Sequence, residues 1–171
     1  MIGATGFVGG QFAGQHAFVA LLNSRNITQS RSVAFDTVVC ATAPGSMFEA
    51  NRFPEVDRER IEKVKENIAA ITAKTFVLIS TIAVFDDFRA ESEDDARHDK
   101  ASVYGRNRRD LEVFCAGHFP RCLVVRLPAL FGAGLKRNFL FDIMNPMPSM
   151  MPRPRFEELA AKLPTAPPPT R

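Results

Sequence analysis

Four short apolar runs punctuate the chain: residues 18–23, FVALLN; 35–42, FDTVVCAT; 75–81, TFVLIST; and 122–127, CLVVRL. Each is continuous rather than alternating, the pattern of strands covered on both faces of a parallel sheet. Ala43-Pro44-Gly45 stops the second run. Between the second and third, Pro54 opens a helix whose first turns carry Glu55, Asp57 and Glu59, where negative charge suits the positive end of the helix dipole. Its inward stripe is Ile61, Val64, Ile68 and Ile71, recurring at helical spacing. A second helix is predicted over about 101–116, with Leu111, Phe114 and Cys115 facing inward. Strands alternating with helices predict an α/β fold with a parallel sheet. Residues 86–100 read as an exposed polar loop. Prolines crowd the chain after Asn145, so the domain is drawn as 1–144 and residues 145–171 as a flexible tail, with one short helix near RFEELAAKL.

Composition narrows the classes. A chain of 171 residues, 46% hydrophobic and 24% charged, fits one soluble globular domain with a sizeable core. The net charge of +3 is too small and too scattered for a nucleic-acid partner, and the basic cluster Arg106, Arg108 and Arg109 lies near an acidic run rather than in a stripe. No apolar run approaches the roughly 18 residues of a membrane span, and the glycine-rich start is not a signal peptide. Cys40, Cys115 and Cys122 show no paired spacing and read as thiols of a reducing cytoplasm. His16, His98 and His118 are scattered, and no metal site is expected.

The first ten residues, MIGATGFVGG, hold Gly3, Gly6 and Gly9 at three-residue spacing. Glycines so placed let a strand turn sharply into a helix and let backbone N–H groups approach a pyrophosphate at the helix amino terminus. Thr5 adds a hydroxyl, and Phe7 and Val8 begin an apolar helix face. The stretch GATGFVGG resembles the opening of the extended short-chain dehydrogenases/reductases, the NAD-dependent epimerase/dehydratase family. The resemblance implies a Rossmann-like, doubly wound parallel sheet with helices on both faces. Only Met1 and Ile2 of that family's first strand are present. The loss of about four buried aliphatic residues, at ~1.5–3 kcal/mol each, would consume most of a typical domain's ~5–15 kcal/mol of stability. We therefore expect the native start to lie upstream of Met1; the other reading is a marginal fold that needs its cofactor.

The resemblance also implies a site. In the family an acidic residue after the second strand holds the ribose when NAD is preferred. Here NSRN, Asn23 to Asn26, has no carboxylate, and Ser24 and Arg25 could bind a 2′-phosphate, since the guanidinium fork matches phosphate oxygens. Taken alone they are a polar turn with an exposed arginine. NADP is thus expected over NAD. CATAPG resembles the family's small-residue turn, with Ala41 and Ala43 against the cofactor. LISTIAVF resembles the strand end that carries the catalytic Ser/Thr, which falls on Thr81. Tyr104, the one tyrosine of the chain, starts the following helix, as in the family's Tyr-x-x-x-Lys motif.

Arg108 stands where the family has lysine, one helical turn from Tyr104 and on the same face. Its fixed charge is expected to lower the phenol pKa and its N–H groups to reach the ribose. VVRLPALFGAG resembles the sixth strand and its turn, placing Pro128 near the nicotinamide and giving Arg126 a mainly structural part. AESEDD resembles an acidic family stretch, although a solvated charge run explains it as well.

The implied activity is an NAD(P)-dependent oxidoreductase or epimerase acting on a nucleotide sugar or another small carbonyl or alcohol, in the cytoplasm and without nucleic-acid or membrane partners. Family members often pair as homodimers through helices. Two other readings stay open: an NAD(P)-binding sensor without turnover, favoured by the short carboxy-terminal part, and an inactive truncated product.

Overall fold

The computed structural model describes residues 1–31, 33–87, 97–98, 101–132, 134–135, 143–144 and 151–162. They group into two compact units, Met1–Pro128 and Ala129–Arg171; the boundary drawn from sequence at residue 144 falls within the second. The first unit runs α1 (Phe7–Gln15), β1 (Ala34–Cys40), α2 (Met47–Arg52), α3 (Pro54–Ala69), β2 (Thr72–Thr81), α4 (Val103–His118) and β3 (Cys122–Leu127). The second holds α5 (Arg153–Ala160), a helix without buried residues, laced on its surface by Arg153–Glu157 and Arg155–Glu158 pairs.

β1, β2 and β3 form a parallel sheet in that order, with Val38 opposite Phe76, Leu78 opposite Val124 and Thr81 opposite Leu127. Flanked by helices, this is the expected Rossmann-like α/β architecture. The strands lengthen little beyond their apolar runs because the β-branched and aromatic residues suit the pleat. Burial is less even than the sequence pattern suggests. β3 is half-buried and leaves Leu123 at 56% exposure, because among the described residues the sheet ends there. Full cover falls on Val38, Cys40, Phe76 and Leu78.

On this ground the helices lay a single core. Ile61 and Ile68 of α3 and Leu111 and Cys115 of α4 are buried against the strands. Ile71 lies past the end of α3 yet stays in the core, while Val64 and Phe114 are only half-buried at its margin. Phe119 caps it by stacking on Phe76, ring centroids 4.0 Å apart. Cys40 and Cys115 are buried thiols, as expected, and Cys122 is partly so.

The first strand survives as single bridges. Ile2 pairs in parallel with Leu22 on one side and Cys40 on the other. Ile2 N–H donates to the Val39 carbonyl at 2.8 Å, and Ala41 N–H donates to that of Ile2 at 2.9 Å. On the other side Leu22 N–H donates to Met1 and Gly3 N–H to Leu22, each at 2.8 Å. The run 18–23 was expected to be a full strand. It is a bridge at Leu22 alone, because Met1–Gly3 is all the backbone that lies alongside it; Val19 is 96% exposed. The chain leaves Ile2, returns at Leu22 on one flank, and next enters the sheet on the opposite flank. That reversal is a topological switch point, the place where open α/β sheets bind ligands.

Helix α4 is started by Ser102, whose hydroxyl accepts the Gly105 N–H at 3.2 Å. A Cβ on Gly105 would lie 1.9 Å from the Ala83 carbonyl oxygen. The helix therefore sits directly on the Ile82–Val84 turn that follows Thr81, and only glycine fits. Gly105→Ala is expected to cost ~1–3 kcal/mol, the usual cost of overpacking, read as a lowered urea midpoint with unchanged slope.

Candidate active site

In a parallel sheet every strand delivers its carboxyl end to the same edge, and the residues singled out from sequence gather there. Gly3 follows Ile2 with φ +85°, and a Cβ on it would lie 2.4 Å from the Ala41 carbonyl oxygen. A Cβ on Gly9 would lie 2.0 Å from the Gly3 carbonyl oxygen. These two glycines are consumed by turn and helix packing. Gly6 is different: it is the N-cap of α1, exposed, and a Cβ there would meet nothing closer than 3.4 Å. No side chain caps α1. The N–H groups of its first residues, Phe7, Val8 and Gly9, have no partner within the helix by its geometry and lie at the positive end of its dipole. Thr5 is exposed beside them.

Around that end stand the other predicted contacts. The turn after Leu22 is held by Asn23 and Asn26: the Asn23 N–H donates to Asn26 Oδ1 at 2.7 Å, and the Arg25 N–H to Asn23 Oδ1 at 2.8 Å. Ser24 and Arg25 are exposed on it. Ala41 backs directly onto Gly3, and Ala43 packs beside the core. Pro128 is exposed just beyond the end of β3, next to the register pair Thr81 and Leu127.

Thr81 and Tyr104 are brought together. Thr81 Oγ accepts the Ala83 N–H at 3.1 Å. The Tyr104 phenol is a hydrogen-bonding neighbour of both the Thr81 hydroxyl and the Arg108 guanidinium. Arg108 lies over the Tyr104 ring, 3.9 Å from its centroid. Its hydrogen bonds, however, run inward. Nη1 donates to Asp57 Oδ2 and, at 3.4 Å, to the Tyr104 carbonyl, and Nη2 donates to the Pro44 carbonyl. At 2% exposure it is among the most buried side chains of the chain. Nε has no partner among the described residues.

Comparison with known proteins supplies the lineage. The model of the family described as RmlD substrate binding domain matches residues 3–151. The chain belongs to that family. It is an extended family of the short-chain dehydrogenase/reductase type, in line with the resemblance read from the glycine loop. A dTDP-4-dehydrorhamnose reductase from Clostridium acetobutylicum aligns with a TM-score of 0.62 at 19% identity, over 84% of this chain and 57% of that one. A UDP-galactose 4-epimerase aligns at 0.57 and 18% identity, over 84% and 59%. This RmlD-family chain thus shares their fold and spans less than two-thirds of either. No curated protein matches it by sequence.

One expectation needs correction. Burial raises the phenol pKa more than Arg108 pulls it down, and the Asp57 carboxylate adds to that rise, so the net shift is upward. Asp57, noted from sequence only as a first-turn acid, is 3% exposed and accepts from both Arg108 and, at 2.8 Å, Asn107 Nδ2. Nothing in the linear pattern separates it from Glu55 and Glu59, which stay exposed on the same helix. The acidic run 90–95 lies outside the described residues.

A second buried group also escaped the sequence reading. Glu112 is 1% exposed and accepts from Arg126 Nε at 3.0 Å and Nη2 at 2.8 Å, from Ser80 Oγ at 2.6 Å and from Arg109 Nη1 at 2.9 Å. It clamps α4 to β2 and β3 one residue before Thr81, which gives Arg126 the structural part expected of it. Burial works to raise the Glu112 carboxyl, but the bonds from Arg126, Ser80 and Arg109 outweigh it and hold the pKa below the ordinary value. Because the folded value is depressed, the stabilisation is present in full above the unfolded value near 4.5 and is lost as pH falls through the folded one. Glu112→Gln should cost ~3–5 kcal/mol at neutral pH by removing the buried charge that Arg126 and Arg109 pair with. It should also flatten the acid limb of stability against pH, measured by urea unfolding between pH 3 and pH 7.

Proposed function

We propose that this chain carries the nicotinamide-binding and proton-transfer site of an NAD(P)-dependent oxidoreductase or epimerase whose substrate is a nucleotide-linked sugar. The observation that carries the reading is the meeting of the Thr81 hydroxyl and the Tyr104 phenol at the sheet edge that also presents the bare amino end of α1. The residues present fit the cofactor. Gly6 leaves room for a diphosphate, the N–H groups of Phe7 and Val8 can donate to it, and the Thr5 hydroxyl stands alongside. Ser24 and Arg25 suit a 2′-phosphate, so NADP is preferred to NAD. Ala41 and Ala43 wall the adenosine side, and Pro128 the nicotinamide side. The bound cofactor supplies hydride chemistry at nicotinamide C4.

Within that frame Thr81 holds the substrate oxygen through its hydroxyl, and Tyr104 exchanges a proton with the same oxygen. Arg108 supports the phenol from the ring face rather than from the ribose. A second reading, cofactor binding without turnover, is favoured by one observation: the arginine in the family's lysine position is spent on Asp57.

Quenching and shift of reduced-cofactor fluorescence tests the reading. NADPH should bind at least tenfold more tightly than NADH, and Arg25→Ala should abolish the difference while leaving NADH binding unchanged. With a panel of sugar nucleotides, Tyr104→Phe should lower kcat by ~10²–10⁴, the usual range for a general acid or base. Binding without turnover on every substrate would favour the second reading, and binding of neither nucleotide would end both.

A further inference from the structure

We propose that Asp57 is a positioning residue of this site: it pins Arg108 beside Tyr104 as a charge-neutral pair, so the phenol meets the substrate in its protonated form. This rests on the reading above.

The argument begins with charge. A lone guanidinium against a tyrosine ring would favour phenolate. Here the Asp57 carboxylate takes the same guanidinium in a pair whose side chains are 2% and 4% exposed. Asn107 accompanies it on the carboxylate, and the Pro44 carbonyl takes the second guanidinium nitrogen. The pair presents little net charge, and what remains is the cost of placing a phenolate in a half-buried position. The groups facing Tyr104 are few. α3 contributes Asp57, its own helix contributes Arg108, β2 contributes the Thr81 hydroxyl, and α2 contributes Asn51, whose side-chain oxygen accepts the Tyr104 N–H at 3.2 Å.

The test needs no cofactor. The chain has one tyrosine and no tryptophan, so ultraviolet absorbance of tyrosinate reports Tyr104 alone. In the wild-type protein phenolate should appear only above the ordinary value of about 10, or only together with loss of the circular dichroism of the fold. Asp57→Asn should raise the ionisation constant at least tenfold. Asp57→Glu should restore it, and Asp57→Asn with Arg108→Gln, which removes both charges, should return it close to wild type; a merely structural carboxylate would give no such pattern. Phenolate forming below pH 10 in the folded wild-type protein overturns the inference, and this measurement decides alone if Asp57→Asn does not fold. An Asp57→Asn titration identical to wild type in a protein that still binds NADPH overturns the inference and leaves the proposed function standing. Failure to bind NADPH removes the reading beneath it instead.

Discussion

Position 105 has no room for a side chain, because α4 rests on the carbonyl of Ala83. That contact governs the site. It sets the first turn of the helix against the turn that leaves β2, and so places a phenol from one beside a hydroxyl from the other. Ser102 starts the helix at the right residue, and Glu112 fastens it two turns further on to Ser80 and Arg126. Glycine therefore sits beside the tyrosine for a packing reason, and a buried carboxylate lies behind the threonine for an electrostatic one.

A chain of contacts links this corner to the glycine turn. Gly3 packs on Ala41; the same loop offers the Pro44 carbonyl to Arg108; Arg108 lies on the ring of Tyr104; Tyr104 neighbours Thr81. Each link is a close packing or a hydrogen bond, so the parts hold a common geometry. The three glycines divide the work. Gly3 and Gly9 yield their side-chain space to the protein, while Gly6 leaves its space outside. A regular spacing of glycines thus encodes two different physical needs, packing at Gly3 and Gly9 and an open helix end at Gly6.

Arginine in place of lysine changes more than shape. A lysine ammonium is a mobile point charge, whereas a guanidinium has five donors in a rigid plane. Buried, that plane must be satisfied, and Asp57, Pro44 and the Tyr104 carbonyl do so, with Nε left over. The charge that would tune the phenol is thereby neutralised a few ångströms from it, and desolvation decides the sign of the pKa shift.

Much of this architecture was legible in the linear pattern. Apolar runs located β1, β2 and β3, because a strand covered by helices must be apolar along its length. Pro54 and the Ile61–Ile68 spacing located α3, and the glycine spacing, Thr81 and Tyr104 marked the candidate site because their order along the chain is local information. The run 18–23 was misread as a strand because a strand exists only by pairing, and its neighbour is two residues long. Asp57 was not singled out because burial belongs to neither helix alone: α3 and α4 must dock before one of three similar acids is taken out of water. Which residues could be helix, strand or turn was thus determined by the chain. Which charges lost their solvent, which partners they then required, and how that set the protonation of the phenol were decided only when distant segments packed together.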